Sequence, residues 1–308
     1  MLEKIVVGYA GDRAGRDAVA LAGRIAAAVK GGLTIVFPYH PLLAREPSEQ
    51  VQERVQAEVR RLLDAIEGAE EIEPFTCHWS PSSWPIHALH ELAVYEHAEL
   101  IVLGAARETL GDRLHVSLME RMVHGAPCAV AVAPAGYADA DGRAGDLRRI
   151  GVGFSSSNEG RAAVTLAREL AGRLGGGVRV IAGAGLEPAL ASYAFSSPAL
   201  GEVEDEMYAD TEQTLTRVCE ELGASAGIPI EHETIRGDPA SVLVERSSEL
   251  DLLVLGSRAY GPLRHVLLGS VSARAMREAR CPVLVVPRGV GGGDGHAEEQ
   301  TAGAARHA

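Results

Sequence analysis

The stretch that decides the fold is residues 5–22, which read IVVGYAGDRAGRDAVALA. An apolar run that ends in glycine and passes into a small-residue helical pattern is typical of a strand followed by a helix. The pattern returns at residues 150–167 as IGVGFSSSNEGRAAVTLA, and the two stretches align without a gap. Such an echo over so many positions indicates a domain that occurs twice in the chain.

Two further echoes keep the same order in both halves. Leu100–Gly104 matches Leu252–Gly256, and Cys128–Pro134 matches Cys281–Pro287. The 308 residues are enough for two domains of ordinary size. We therefore expect four consecutive segments: a first domain at residues 1–135, a polar linker at 136–147, a second domain at 148–288 and a disordered tail at 289–308.

Each half alternates apolar strand patterns with helical ones, and the first half shows this most clearly. Hydrophobic residues make up 46% of the chain and aromatic residues only 4%, so the core must be built from Ala, Val, Leu and Ile. Nearly continuous apolar strands between helices predict an α/β fold with a parallel sheet covered on both faces. The predicted elements of the first half are strands at Lys4–Gly8, Leu33–Pro38, Phe75–Trp79, Leu100–Leu103 and Cys128–Ala133, and helices at Gly15–Val29, residues 51–66, Ile86–His97 and around Ser117–His124.

Composition excludes several classes of partner. The net charge of −13 argues against binding to nucleic acid and against docking on an anionic membrane, because both need a basic surface. We expect no signal peptide and no membrane span. The four cysteines, at positions 77, 128, 219 and 281, form no CxxC pair. They are expected to be reduced and mostly buried in a cytoplasmic protein.

The sharpest local motif is residues 255–272, LGSRAYGPLRHVLLGSVS. It begins at the carboxyl end of a predicted strand, where open α/β sheets bind ligands, and it ends by opening a helix at Ser270. Glycines there let the backbone approach phosphate oxygens, and a helix N-terminus favours an anion. The loop thus suits a nucleoside triphosphate, although neither GxxxxGK[ST] nor GxGxxG is present. The alternative is that the glycines only turn the chain and cap the helix.

This loop resembles the nucleotide loop of universal stress proteins, in which a glycine, two residues, a glycine, nine residues, a glycine and Ser or Thr follow one another. Gly256, Gly269 and Ser270 match that pattern, whereas Ala259 stands at the second glycine and Gly261 follows two residues later. The segment RGDPA at 236–240 is also similar to the family. The resemblance covers nearly the whole chain, and tandem forms are common in the family.

The resemblance implies two flavodoxin-like (Rossmann-like) domains, each with a five-stranded parallel sheet and helices on both faces. It also implies that domains pair through their last strands, here Val130–Ala133 against Val283–Val286. In a tandem chain the two halves could pair with each other. The resemblance leaves room for a homodimer and for a protein partner that the sequence does not name.

The departures from the family pattern separate the two halves. Members that bind ATP usually carry an Asp after the first strand, which holds the adenine, and the matching residues are Ala10 and Ser155. In the first half, Val116 replaces the last glycine of the loop, the loop is one residue shorter, and Glu108 and Asp112 would repel an anion. We therefore expect the first half to be structural and only the second half to bind ATP.

The leading functional hypothesis is a cytoplasmic stress-response protein that binds ATP or a related nucleotide in its second half. No catalytic residue and no metal site are assigned, any hydrolysis would be slow, and a role for Mg²⁺ is left open. The alternative is a scaffold that has lost the nucleotide and acts through protein contacts. The residues expected to bind the nucleotide are Ser155, Leu255, Gly256, Ser257, Arg258, Ala259, Gly269, Ser270, Val271 and Ser272.

Other polar and aromatic groups have two interpretations each. His87 and His90 have helical spacing that could suit a metal, but surface or packing roles are favoured because no metal motif accompanies them. Trp79 and Trp84 could line a pocket or pack a loop onto the domain. Ser155 and its neighbours could bind phosphate, cap a helix, or do both. The acidic run at 202–206 is best explained as a solvated helix face.

Overall fold

We describe a computed structural model of the chain. It describes residues 2–38, 48–68, 72, 75–80, 85–105, 120–139, 147–185, 200–223, 228, 230–257, 266 and 268–287. Arg258, Ala259 and Gly261 of the predicted nucleotide loop lie outside these residues, as do Val116, Trp84 and the predicted tail.

The first half alternates strands and helices in the predicted order. Helix boundaries follow local chemistry: the Asp12 side chain accepts a hydrogen bond from the Gly15 N–H at 2.8 Å and caps the first helix. That helix ends at Lys30, whose φ of 57° is left-handed. The elements are β1 (Lys4–Gly8), α1 (Arg13–Val29), β2 (Gly32–Pro38), α2 (Ser48–Asp64), β3 (Thr76–Ser80), α3 (Pro85–Tyr95), β4 (Leu100–Gly104) and β5 (Ala129–Ala133).

The second half repeats this plan. Ser157 caps its first helix through the Gly160 N–H, and that helix ends at Gly175, whose φ is 62°. The elements are β6 (Arg149–Gly153), α4 (Asn158–Leu174), β7 (Gly177–Ala184), α5 (Leu200–Gly223), β8 (Ile230–Arg236), α6 (Pro239–Arg246), β9 (Leu252–Gly256), α7 (Ser270–Glu278) and β10 (Val283–Val286).

All ten strands form one sheet, in the order β3-β2-β1-β4-β5-β10-β9-β6-β7-β8. Within each half the paired strands are parallel, and β10 pairs with β5 antiparallel, with Leu284 opposite Ala131. Two five-stranded parallel sheets thus join edge to edge, which confirms the predicted fold class. The expected pairing of the last strands is present, and it occurs within one chain.

Helices cover both faces of the sheet. Successive side chains of a strand point to opposite faces, so each strand contributes apolar residues to both. On β4, Leu100 and Val102 pack on the face of α1, α2, α4 and α5, whereas Ile101 and Leu103 pack on the opposite face. The second face is covered by α3, α6 and α7 together with residues 120–126. Each face of the sheet has one hydrophobic core that runs across both halves, because alternate residues of β5 and β10 pack into the two cores.

The segment between the halves, predicted as a polar linker, begins with a packed 3-10 turn at Tyr137–Asp139. The buried carboxylate of Asp17 on α1 accepts hydrogen bonds from the backbone N–H groups of Gly136 and Ala138, each at 2.7 Å. Tyr137 is only 7% exposed. The chain is therefore held against α1 directly after β5. Residues 140–146 lie outside the described residues.

The halves also touch beyond the sheet. The Gly125 N–H donates to the Val266 carbonyl at 2.9 Å, and the Val266 N–H donates to the Ala126 carbonyl at 3.1 Å. Glu120 and Arg277 form an ion pair across the same boundary. These contacts fix the end of the predicted nucleotide loop against the first half.

In the described part of the chain, none of the helices combines the length and the apolar character that crossing a bilayer would require.

Candidate functional site

The strand order places the candidate site. It reverses between β6 and β9 in the second half and between β1 and β4 in the first, and such reversals leave a crevice at the carboxyl ends of the strands. Ser155 follows β6, Gly256 ends β9, and Gly269 precedes α7, so the described ends of the predicted site gather at this edge.

Gly256 has a structural role that the sequence did not reveal. A Cβ atom at this position would lie 2.8 Å from both the carbonyl carbon and the carbonyl oxygen of Glu159 on α4. In the first half, a Cβ at Gly104 would lie 1.8 Å from the Ala14 carbonyl oxygen. Both halves therefore need glycine for close packing of a strand end on a helix start. Gly256 by itself does not favour a phosphate site over a purely structural turn.

Ser257 is the most informative residue of the loop. Its N–H donates to the Val286 carbonyl at 2.9 Å, so it continues the strand ladder, yet it is only 5% exposed. Leu253 and Leu255 face the core shared with α7, and strand alternation sends the Ser257 side chain to that same side. Among the described residues its hydroxyl has no hydrogen-bond partner. A buried hydroxyl without a hydrogen-bond partner costs free energy, and a bound ligand would supply that partner.

The helix α7 begins differently from the other helices with a described cap. Asp12, Ser157 and Asp238 each accept a hydrogen bond from a backbone N–H in the first turn of α1, α4 and α6. The N-cap of α7 is Gly269, which has no side chain to do this. The N–H groups of the first turn of a helix lack partners inside the helix, so an anion can bind them.

The two ends of the predicted loop meet in the structure. Ser272 Oγ donates to the Gly256 carbonyl at 3.4 Å, and Ser272 is 6% exposed. Ser270 is exposed and Val271 is partly buried on the same turn. Leu255 is 3% exposed and packs in the core, so its side chain supports the site without facing it.

Ser155 lies exposed after β6, where its Oγ is 2.8 Å from Ser157 Oγ. Ser157 in turn accepts from the Gly160 N–H at 3.2 Å. A Cβ at Gly160 would lie 2.0 Å from the Ser155 carbonyl oxygen, so the turn between β6 and α4 is tight. Ser155 thus contacts the helix cap only through Ser157, and its hydroxyl lies at the surface of the crevice.

The corresponding end of the first half is filled by aromatic rings. The ring of Phe37 lies 6.1 Å from that of Tyr9 and 5.1 Å from that of Trp79, between centroids. These residues follow or end β1, β2 and β3, and Tyr9 is 1% exposed. Trp79 therefore packs against the domain, as the simpler interpretation predicted. Sequence reasoning did not find the cluster, because its members are far apart in the chain.

An open groove of about 590 Å³ lies beside α7, between the two halves. Leu268, Gly269, Ser270 and Ala273 line it from the second half, and Glu120, Arg121 and His124 line it from the first. The sequence did not predict that first-half residues reach the loop. This arrangement depends on the antiparallel β5–β10 pairing, which no local motif encodes.

A second cavity, of about 240 Å³, lies at the amino ends of β6 and β7, away from the crevice. Its lining arginines include Arg149, which is ion-paired with Asp251 at 2.6 Å, and Arg179, which is ion-paired with Glu249 at 3.0 Å. These internal pairs leave it poorly suited to an anion.

The other polar groups have ordinary surroundings. The ring of His87 pairs with Glu91 at 3.1 Å, and His90 Nε2 lies 2.7 Å from the Met122 carbonyl. The described residues contain no group of His, Cys, Asp and Glu suited to a metal ion. The four cysteines are free thiols, and burial raises the pKa of Cys128 to about 12. In the acidic run, Asp205 is exposed and pairs with Arg236 at 2.8 Å.

Comparison with known proteins agrees with this architecture. The profile of the universal stress protein family matches residues 1–134 and again residues 146–287. A universal stress protein of Mycobacterium tuberculosis is 28% identical over 296 residues, which span 92% of this chain and 99% of that one. A universal stress protein of Methanocaldococcus jannaschii is 34% identical over 89 residues, 28% of this chain and 52% of that one.

Solved structures show the same fold at low identity. A universal stress protein from Archaeoglobus fulgidus superposes with a TM-score of 0.56 at 17% identity, over 94% of this chain and all of that one. A functionally unknown protein from Pseudomonas aeruginosa gives a TM-score of 0.59 at 16% identity, over 92% of each chain. With two consecutive matches to the family profile across most of its length, the chain belongs to the universal stress protein family and carries two domains of that family in tandem.

Proposed function

We propose that the second half of this chain binds ATP or a related nucleoside triphosphate, and that the first half serves as its structural partner. The phosphates would lie at the N-terminus of α7, with the base and ribose in the crevice beside Ser155. The bound nucleotide would shift conformation or assembly in a cytoplasmic stress response. Hydrolysis would be slow, since the second-half residues described at the site include no base that is positioned for it.

The observation that carries this proposal is the pairing of an uncapped helix start with an unsatisfied buried hydroxyl. Gly269 offers no cap to α7, and Ser257 Oγ, on the same side of the sheet, has no partner among the described residues. A phosphate accepts hydrogen bonds from backbone N–H groups and hydroxyls alike. The roles of Arg258 and Ala259, which lie between these two points in the chain, rest on the family resemblance alone.

The loss of binding in the first half has support of its own. Ala10 has no hydrogen-bonding side chain, and the rings of Tyr9, Phe37 and Trp79 occupy the carboxyl ends of β1 to β3. The family resemblance places the adenine at that end of the domain.

Isothermal titration of ATP into the full chain tests the proposal, together with mass analysis of any nucleotide released from the purified protein. Gly269→Val should abolish the heat of binding, because the valine side chain would crowd the phosphate position. The backbone tolerates valine there, since φ is −91° and ψ is 169°. Gly177→Val is the matched control, as a Cβ at Gly177 meets nothing within 4 Å. No heat from the wild type at millimolar ATP, together with no nucleotide released from the purified protein, would refute the proposal.

The second candidate is a scaffold that acts through protein contacts without a nucleotide. It is favoured by the packing role of Gly256 and by the contact of Ser155 Oγ with Ser157 Oγ, which give two site residues a structural explanation. A crystal structure of the chain determined in the presence of ATP separates the two candidates. Density beside Gly269 supports the nucleotide, and side chains filling that position support the scaffold.

A further inference from the structure

The groove beside α7 contains a cation, Arg121, that the described part of the chain does not neutralise. Arg121 is exposed and lines the groove opposite Gly269 and Ser270. Among the residues that the structure describes, neither an ion pair nor a hydrogen bond engages its guanidinium. In a chain with a net charge of −13, such an arginine beside an uncapped helix N-terminus gives the groove a local preference for anions.

The repeat explains why Arg121 has no partner among the described residues. When the two copies are aligned on Cys128 and Cys281, Arg121 corresponds to Arg274. Arg274 donates to Asp238 at 2.9 Å and to Ser241 Oγ at 3.0 Å, so it is held at the start of α6. The residue that precedes the helix-opening proline of the first half is Trp84, which offers no carboxylate in place of Asp238. The first copy thus retains the arginine and lacks its partner.

The other charges on the described residues of the groove do not cancel Arg121. Among the described lining residues Glu120 is the acidic one, and it is ion-paired with Arg277. His124 is exposed on the same side and adds a ring N–H that can donate to an anion. The helix N-terminus and the first-half side chains therefore present compatible groups to one ligand.

The position of Arg121 relative to α7 is fixed by the fold. The reciprocal backbone hydrogen bonds of Gly125 and Ala126 with Val266 join the end of the first-half helical turn to the nucleotide loop. The buried side chains of Val123, Ala126 and Val266 lie in the same core. The backbone that carries Arg121 is therefore held beside α7, and only the arginine side chain has to be ordered by a ligand.

We propose that the phosphate site is composite: the first half supplies Arg121 and His124 to the terminal phosphates of a nucleotide held by the second half. This rests on the proposed function and adds a specificity to it. A nucleotide with a short phosphate chain would be bound by α7 alone, whereas a triphosphate would extend across the groove. The degenerate first half would then recognise the length of the phosphate chain.

The test is a titration of the full chain with ATP and separately with AMP. Arg121→Ala should weaken ATP binding about tenfold, the loss typical of one charge-assisted contact, and should leave AMP binding unchanged. Arg121→Glu should weaken ATP binding further. Arg61→Ala is the matched control, because Arg61 is an exposed arginine of α2 on the opposite face of the sheet.

A second variant changes the groove on the side of the second half. Arg277→Ala removes the partner of Glu120, so the freed carboxylate should oppose the triphosphate and weaken ATP binding, with AMP again unaffected. Arg217→Ala, which breaks the exposed pair with Glu221, controls for the loss of a surface arginine.

The outcomes separate the two proposals. If the wild type binds no ATP, the proposed function fails and the composite site fails with it. If the wild type binds ATP and Arg121→Ala binds it equally well, only the composite site is overturned. Equal weakening of ATP and AMP would also overturn it, since the terminal phosphates would then not be what Arg121 recognises.

Discussion

Ser272 Oγ lies 3.4 Å from the carbonyl oxygen of Gly256 and joins the first turn of α7 to the end of β9. This contact closes the loop that carries the candidate site, because the residues between the two ends leave the sheet and return to it. Packing restrains both partners. The Glu159 backbone lies close to Gly256, and Ser272 is buried. The separation of the two loop ends is thus set by packing.

Ser272→Ala should loosen this closure with little effect on global stability. The bond is long, so its loss should cost about 0.5 kcal/mol, the low end for a neutral hydrogen bond. ATP binding should weaken more than this cost suggests, because the N-terminus of α7 is then less well fixed. Urea denaturation and ATP titration of the same variant measure the two effects. Ser248→Ala, which removes an exposed bond to the Glu245 carbonyl, is the control for losing a serine hydroxyl.

Asp17→Ala should destabilise the chain by about 3 kcal/mol, because two buried backbone N–H groups, of Gly136 and Ala138, would lose their acceptor. Urea denaturation measures the change. Asp64→Ala, at an exposed position in the last turn of α2, should stay within about 0.5 kcal/mol of the wild type. A loss of similar size in both variants would contradict the anchoring role of Asp17.

The same carboxylate predicts a pH dependence. Burial raises the pKa of Asp17 above its ordinary value of 3.8, although its two backbone hydrogen bonds act in the opposite direction. The native chain then binds this proton more tightly than the unfolded chain does. The contribution of Asp17 to the free energy of unfolding is fully present below 3.8 and declines as the pH rises through the native pKa. The free energy of unfolding of the wild type minus that of Asp17→Asn should therefore decrease as the pH rises above 3.8. An increase of this quantity would contradict a raised pKa for Asp17.

The antiparallel junction of β5 and β10 predicts unfolding that is independent of concentration. In this chain each last strand has its partner within the same molecule, so pairing through these strands needs no second copy. The melting temperature should stay constant over about a hundredfold range of protein concentration. A melting temperature that rises with concentration would show instead that last strands pair between chains. A homodimer formed through another surface is compatible with the constant value only if it adds little stability.

The fold followed from the sequence because its information is local and repeated. The stretches at 5–22 and 150–167 each encode a strand, a tight turn and a helix, and the apolar runs that end at Gly104 and Gly256 have one interpretation in an α/β chain. Asp17 is different. A charged residue on a helix is usually solvent-exposed, and only the path of the chain after β5 shows that it is buried under Gly136.

The site could be predicted only in part, for a related reason. The loop from Gly256 to Ser272 is contiguous, so its two ends could be predicted from spacing and from the resemblance to the family loop. The groove residues Arg121 and His124 come from the other half, and the aromatic rings at Tyr9 and Trp79 come together from separate strands. Their proximity depends on strand order and on the β5–β10 junction, which are properties of the assembled sheet.

The single nucleotide site proposed for the second half is tested by the stoichiometry of ATP binding to the full chain, measured by isothermal titration and repeated with Gly269→Val. One site in the second half requires one ATP per wild-type chain and none for the variant, whose melting temperature is measured to show that it is folded. Two ATP per chain, none at millimolar ATP, or binding that survives Gly269→Val would contradict it.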